Sequence, residues 1–250
     1  MRKFFVLYDR ELKSFFHSPI AYVVMFCFLF LSGLSFWFAV QAMNGKMVTV
    51  SLLQVFFQFV MWFGFVLVFP LLTMRLFSEE FKLGTIEPLM TAPVSDWAIV
   101  LSKYFASLTF YAVLWAPTAL YFWIYREVSG EAVVSSSETY WAAYLLVLLL
   151  GMAYLSIGLL ASALSANQVV AAVLAFSVIS GVFYLGLLGG LVLDASPYVR
   201  DLLAYVSAPE HMNMFLRGII DTRAMVYYLT ITIFALFLTR EVLQYRRWKA

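Results

Sequence analysis

Charge is what this sequence has least of. Only 12% of its 250 residues are Asp, Glu, Lys or Arg, against 64% hydrophobic, and the mean hydropathy is +0.91. A chain of this size then has too little polar surface to cover a water-soluble globule, so a bilayer is the solvent the composition requires. Cysteine is nearly absent as well. The single Cys27 lies in an apolar run, which excludes an intrachain disulfide and leaves the redox compartment unrecorded. Histidine is scarce, with only His17 and His211 and no His-Glu-x-x-His helix, which removes metalloprotease chemistry. His211 reads as an ordinary polar loop residue. The one Gly-Lys pair, Gly45-Lys46, is not preceded by the glycine that a phosphate-binding loop needs. No nucleotide site, metal site or other cofactor is expected on this chain, no nucleic-acid partner, and no enzyme activity of its own.

What is present is apolar length. Runs long enough to cross a hydrocarbon core of about 30 Å as helix recur along the chain, at Pro19–Ala42, Leu52–Met74, Val100–Tyr125, Tyr140–Leu164, Gln168–Leu193 and the shorter Ala224–Thr239. The expected fold class is therefore all-α, one polytopic membrane domain over residues 1–250 with six transmembrane helices. Arg223 and Arg240 can snorkel to the two interfaces and let the short last run span. Ser165-Ala166-Asn167 is the expected tight connection between spans 4 and 5. The first run is too long for the apolar part of a signal peptide and is expected to be retained.

Lys and Arg distribution sets the orientation. With both termini inside, Arg2, Lys3, Arg10, Lys13, Arg75, Lys82, Lys103, Arg240, Arg246, Arg247 and Lys249 are cytosolic, and Lys46, Arg126, Arg200, Arg217 and Arg223 are outside, a split of 11 to 5 among the 16 basic residues. Residues 1–17 form a distinct element. At 100° per residue Phe4, Tyr8, Leu12 and Phe15 share one face, with Phe5 and Phe16 beside them, while Lys3, Asp9, Arg10, Lys13 and His17 take the other. Such a helix is expected to lie in the membrane interface. The span interiors are nearly free of ionisable groups, which weakens the case for a carrier driven by an ion gradient. Ser135 and Glu138 fit a capping box opening span 4.

The segment 75–96 between spans 2 and 3 parses into mechanical parts. Gly84 ends the helix that continues span 2, and Thr85 can cap a new short one. Glu87 sits near the positive end of that helix, and Pro88 is tolerated in its first turn. Pro93 stops it, and Ser95 and Asp96 can cap span 3. Between the breaks Ile86, Leu89 and Met90 stand at helical spacing, an apolar ridge flanked by acids. Physics alone allows two uses for it: insertion into a groove on another protein, or dipping into lipid headgroups.

The pattern Glu79-Glu80-x-x-x-Gly84-Thr85-Ile86-Glu87-x-Leu89-Met90-x-x-Pro93, followed by Val100-x-x-Lys103, resembles the loop of ABC-2 type transporter permeases. The C-terminal Met214-Phe215-x-Arg217-Gly218-x-Ile220-Asp221-x-Arg223, with Tyr227-Tyr228 and a final Arg246-Arg247-Trp248, is similar to the branch associated with gliding motility and copper-centre maturation. The resemblance implies a membrane subunit of an ATP-driven exporter in the bacterial cytoplasmic (inner) membrane. A separate cytosolic ATPase would bind ATP and Mg and engage a coupling helix around Thr85–Thr91, with Glu79, Glu80 and Glu87 near the contact. It implies two permease copies, identical or paralogous. Ser177 with Gly181, and Gly186 with Gly190, have the small-residue spacing of close helix packing, between copies or within one. Residues 194–222 would form short extracytoplasmic helices, broken by Pro197 and Pro209. The alternatives are a module of the same architecture that transmits force to an extracytoplasmic partner without transport, and an ion-coupled secondary carrier.

Overall fold

The computed structural model describes residues 2–43, 52–61, 66–129, 137–191 and 196–249, and every regular element among them is a helix. The chain opens with α1 (Arg2–His17) and, after Ser18, α2 (Pro19–Met43); Pro19 occupies a first helical position, where its missing N–H costs nothing. Next come α3 (Leu52–Val60) and α4 (Val66–Thr73), then the short α5 (Ser78–Leu83) and α6 (Ile86–Thr91). Three long helices follow in part or whole from the apolar runs: α7 (Asp96–Ser129), α8 (Ser137–Leu164) and α9 (Gln168–Leu191). The chain closes with α10 (Pro197–Val206), α11 (Ala208–Phe215) and α12 (Thr222–Lys249).

Among the described residues five helices, α2, α7, α8, α9 and α12, are long and apolar enough to cross a membrane. The expected second span differs. It is described as two shorter helices, α3 and α4, on either side of residues 62–65, and α4 carries Pro70, which gives up one ladder hydrogen bond. The last helix differs in the other direction. Its apolar part was expected to end at Thr239, but α12 runs to Lys249, because the Arg, Glu, Gln and Lys that follow are good helix formers.

The core forms around α8, whose apolar window is 72% buried against 28% for α2 and 33% each for α9 and α12. α12 and α9 flank α8, α4 and α7 pack on it, and α1 lies along α7. Small residues on α8 set these distances. A Cβ at Gly151 would sit 2.2 Å from the Tyr111 ring, and one at Gly158 would sit 2.1 Å from Thr73 Oγ1. Four buried hydroxyls in the long helices turn back on their own backbone: Ser107 donates to Tyr104 O (2.8 Å), Ser156 to Ala153 O (2.7 Å), Thr232 to Tyr228 O (2.8 Å) and Thr239 to Ala235 O (2.7 Å). They are satisfied where they stand.

α1 is a packed element. Phe15 is buried and stacks on Phe110, Phe4 meets Phe105 edge-on, and Tyr8 Oη lies 2.8 Å from Thr109 Oγ1. The expected apolar face therefore lies on α7, apart from Phe5, which stays 62% exposed. Ser135 of the expected capping box lies outside the described residues.

Candidate functional site

The segment from Met74 to Asp96 is held from several sides. Its entrance is fixed by one residue of α8: Ser162 Oγ accepts from Phe77 N (2.9 Å) and Ser78 N (3.1 Å) and donates to Met74 O (3.2 Å). A helix start leaves backbone N–H groups without partners, and α5 is capped here by a side chain 84 residues further along the chain.

α5 then places Glu80 in a buried ionic cluster. Lys103 Nζ of α7 lies 2.8 Å from Glu80 Oε1 and 3.0 Å from Glu11 Oε2 of α1, with the lysine side chain 2% exposed. Arg10 Nη2 completes it at 2.6 Å from Glu11 Oε1 and 3.4 Å from Glu80 Oε1. The ammonium also lies 5.3 Å from the Phe77 ring centroid. Burial pushes both carboxyls up. For Glu11 the Lys103 charge and the Arg10 hydrogen bond outweigh burial, and its pKa falls below the ordinary carboxylate value. For Glu80 burial prevails and its pKa lies above that value. Glu80 Oε2 is buried without a hydrogen-bond partner. Beside the cluster, α1 and the loop enclose a half-open cavity of about 450 Å³, lined by Ser14, His17, Ser18, Arg75, Glu79 and Thr85 among others.

Gly84 ends α5 with φ +70°, a left-handed conformation open to glycine at little cost. Thr85 holds the expected position before α6, but its backbone is helical and its side chain makes no capping bond. Ala92, before Pro93, is extended, and Ser95 Oγ accepts from Ala98 N (3.3 Å) to open α7. Lys3 Nζ of α1 donates to Pro93 O (2.6 Å).

The apolar ridge turns inward. Of its residues, Ile86 and Leu89 are 6% and 8% exposed and belong to the chain's own core. The physical reason is local: the polar residues of the same turn leave only one face of α6 to cover the apolar cluster beneath it. What faces out is Glu79, Lys82, Leu83, Gly84, Thr85, Glu87 and Pro88. Glu80, grouped with Glu79 and Glu87 by sequence, points into the cluster with Lys103 instead. Met90 lies on α6, and Pro93 just beyond it is exposed.

The far end of the bundle is built differently. α9 spans about 36 Å at 1.5 Å per residue, which carries α10 and α11 to the opposite end from the loop. Pro197 and Pro209 start these helices rather than break them, since each lies in a first turn. His211 is buried on α11, with Nδ1 3.0 Å from Tyr228 Oη, and burial holds its pKa below the ordinary histidine value. Gln58 Nε2 of α3 donates to Asn213 Oδ1 (2.9 Å). A Cβ at Gly186 would meet Ser207 Cα at 2.5 Å, so this glycine admits the α10–α11 junction of its own chain. Ser177 and Gly181 are exposed on α9 with nothing within 4 Å of a Cβ at Gly181, and Gly190 lies in the last turn of that helix.

Sequence reasoning missed Glu11 and Ser162. Glu11 left a signal, because at 100° per residue it falls on the same side of α1 as Phe4, Tyr8 and Phe15, and Lys103 in an apolar run needs a buried partner. Ser162 left none.

The family model described as ABC-2 family transporter protein matches residues 11–185. The chain belongs to this family, and is a multi-pass membrane component of the ABC transporter type without an ATPase site of its own. No curated protein matches it.

Proposed function

We propose that this chain is the permease subunit of an ATP-driven exporter in a bacterial inner membrane, with both termini cytosolic and its α5–α6 segment serving as the lever for a separate cytosolic ATPase. The observation that carries this reading is the construction of the segment. It is capped by α8, ion-paired to α1 and α7, and leaves Lys82, Leu83, Gly84, Thr85, Glu87 and Pro88 exposed. A load applied to these residues passes through α5 into α8, α1 and α7, a route that rigid-body switching between inward and outward access can use. The excess of Lys and Arg at this end supports its cytosolic placement. A second permease copy, identical or paralogous, fits the exposed Ser177–Gly181 stretch of α9.

The buried charges do not argue for ion-coupled transport. Lys103 is in the second turn of α7, about 10 Å from the helix start and far from the midplane where carriers place their ion sites. The test is co-expression with a cognate ABC ATPase and reconstitution in lipid nanodiscs. ATP turnover is expected from the complex and not from the permease alone, and Glu87→Arg, which reverses an exposed charge on the lever, should weaken assembly about tenfold or more. Wild-type permease that retains no ATPase, or a Glu87→Arg complex that assembles and turns over normally, overturns the proposal.

A further inference from the structure

The C-terminal Arg246-Arg247 pair lies outside the residues matched by the family model, and the function proposed above does not use it. Its contacts are specific. Arg246 Nη2 donates to Leu164 O (3.0 Å), on the last residue of α8, and the same guanidinium lies 4.2 Å from the centroid of the Phe81 ring on α5. Arg247 Nη2 is 2.9 Å from Asp96 Oδ1, on the first residue of α7. The last carbonyls of a helix lack intrahelical donors and carry its negative end, which is where a guanidinium is favoured, and the ring face attracts the same cation. Asp96 is in turn favoured at the positive end of α7.

We propose that Arg246 and Arg247 are positioning residues that make the end of α12 a clamp on the α5–α6 lever, gripping it at Phe81 on the way in and at Asp96 on the way out. Adjacent residues on a helix diverge by about 100°, so the two arginines reach elements on different sides of the α12 axis. α12 packs along α8 as well. Movement of the lever must then either carry α12 with it or break these contacts. The idea rests on the proposed function only in calling the segment a lever; the clamp itself is a property of the single chain.

The experiments use the full chain in nanodiscs: with Cys27→Ser and a spin label at Glu87→Cys for the chain alone, and without the label, together with a cognate ABC ATPase, for the complex. In the chain alone, R246A is expected to raise label mobility, F81L to raise it equally, and the double variant to add nothing further. R246K, which keeps a cation near the ring and carbonyl, should restore most of the order. Thermal midpoints should stay close to wild type. In the unlabelled complex, R246A should still bind the ATPase, while ATP turnover falls about fivefold. Unchanged mobility in R246A, additive effects of R246A and F81L, or mobility that merely follows a fall in thermal midpoint overturns the clamp. Failure of the wild-type chain to bind any ATPase overturns the permease reading instead, and leaves the clamp to be decided by the lone-chain measurements.

Discussion

The two ends of this bundle are fastened by different chemistry. At the loop end, Lys103, Glu11, Glu80 and Arg10 hold three elements together through charge. At the far end, α11 is seated by neutral groups, His211 on Tyr228 and Gln58 on Asn213. Charges taken out of water are costly unless paired, so the loop end tolerates few alternative arrangements; neutral hydrogen bonds cost less to break and remake. On the proposed function, the end that takes the load is then the stiffer one.

The comparison is broken most forcefully at Lys103. Lys103→Met removes the buried cation and leaves Glu11 and Glu80 with only the half-exposed Arg10 between them, and should cost about 3–5 kcal/mol in unfolding stability measured in detergent micelles. Adding Glu11→Gln and Glu80→Gln should return most of that loss. If Lys103→Met alone is tolerated, the cluster is not what fastens this end.

A smaller effect distinguishes the two acids by pH. The folded pKa of Glu11 is below its ordinary value of 4.5, so its contribution is present above that value and disappears as pH falls through the folded pKa. The folded pKa of Glu80 is raised, so its contribution has the opposite sign: it is present below 4.5 and is lost as pH rises through the folded pKa. Glu11→Gln should therefore be the more destabilising of the two at neutral pH, with the gap narrowing as the solution is acidified. Thermal midpoints across the pH range provide the measurement, and equal losses for both variants at neutral pH contradict the assignment.

The smallest effect is expected at the far end. Tyr228→Phe removes one neutral hydrogen bond to His211 and should cost about 1 kcal/mol by the same unfolding assay. A loss as large as that of Lys103→Met would erase the contrast between the two ends.

The long helices were legible because about 20 apolar residues in a row have few other uses. Gly84, Pro93 and Ser95 were legible because each acts on its own backbone. The direction of the α6 ridge was not, since Ile86 and Leu89 at helical spacing look the same whether the covering surface belongs to this chain or another. His211 was misjudged for a related reason: its partner Tyr228 is brought near by the fold rather than by the sequence. Ser162 was hidden among hydroxyls, most of which bond only within their own helix. Contacts between residues 92 positions apart, such as Lys103 with Glu11, require the topology before the chemistry can be read.

Because Ile86 and Leu89 are spent inside the molecule, the face that the proposed function offers to an ATPase is small, with Glu79, Lys82 and Glu87 exposed on it beside Leu83. Contacts of that kind loosen as ionic strength rises, since exposed ion pairs are screened within about 8 Å at physiological salt. Purification in concentrated salt would then strip the motor from the membrane part and yield an intact, idle protein, whereas gentle low-salt extraction would keep the machine together.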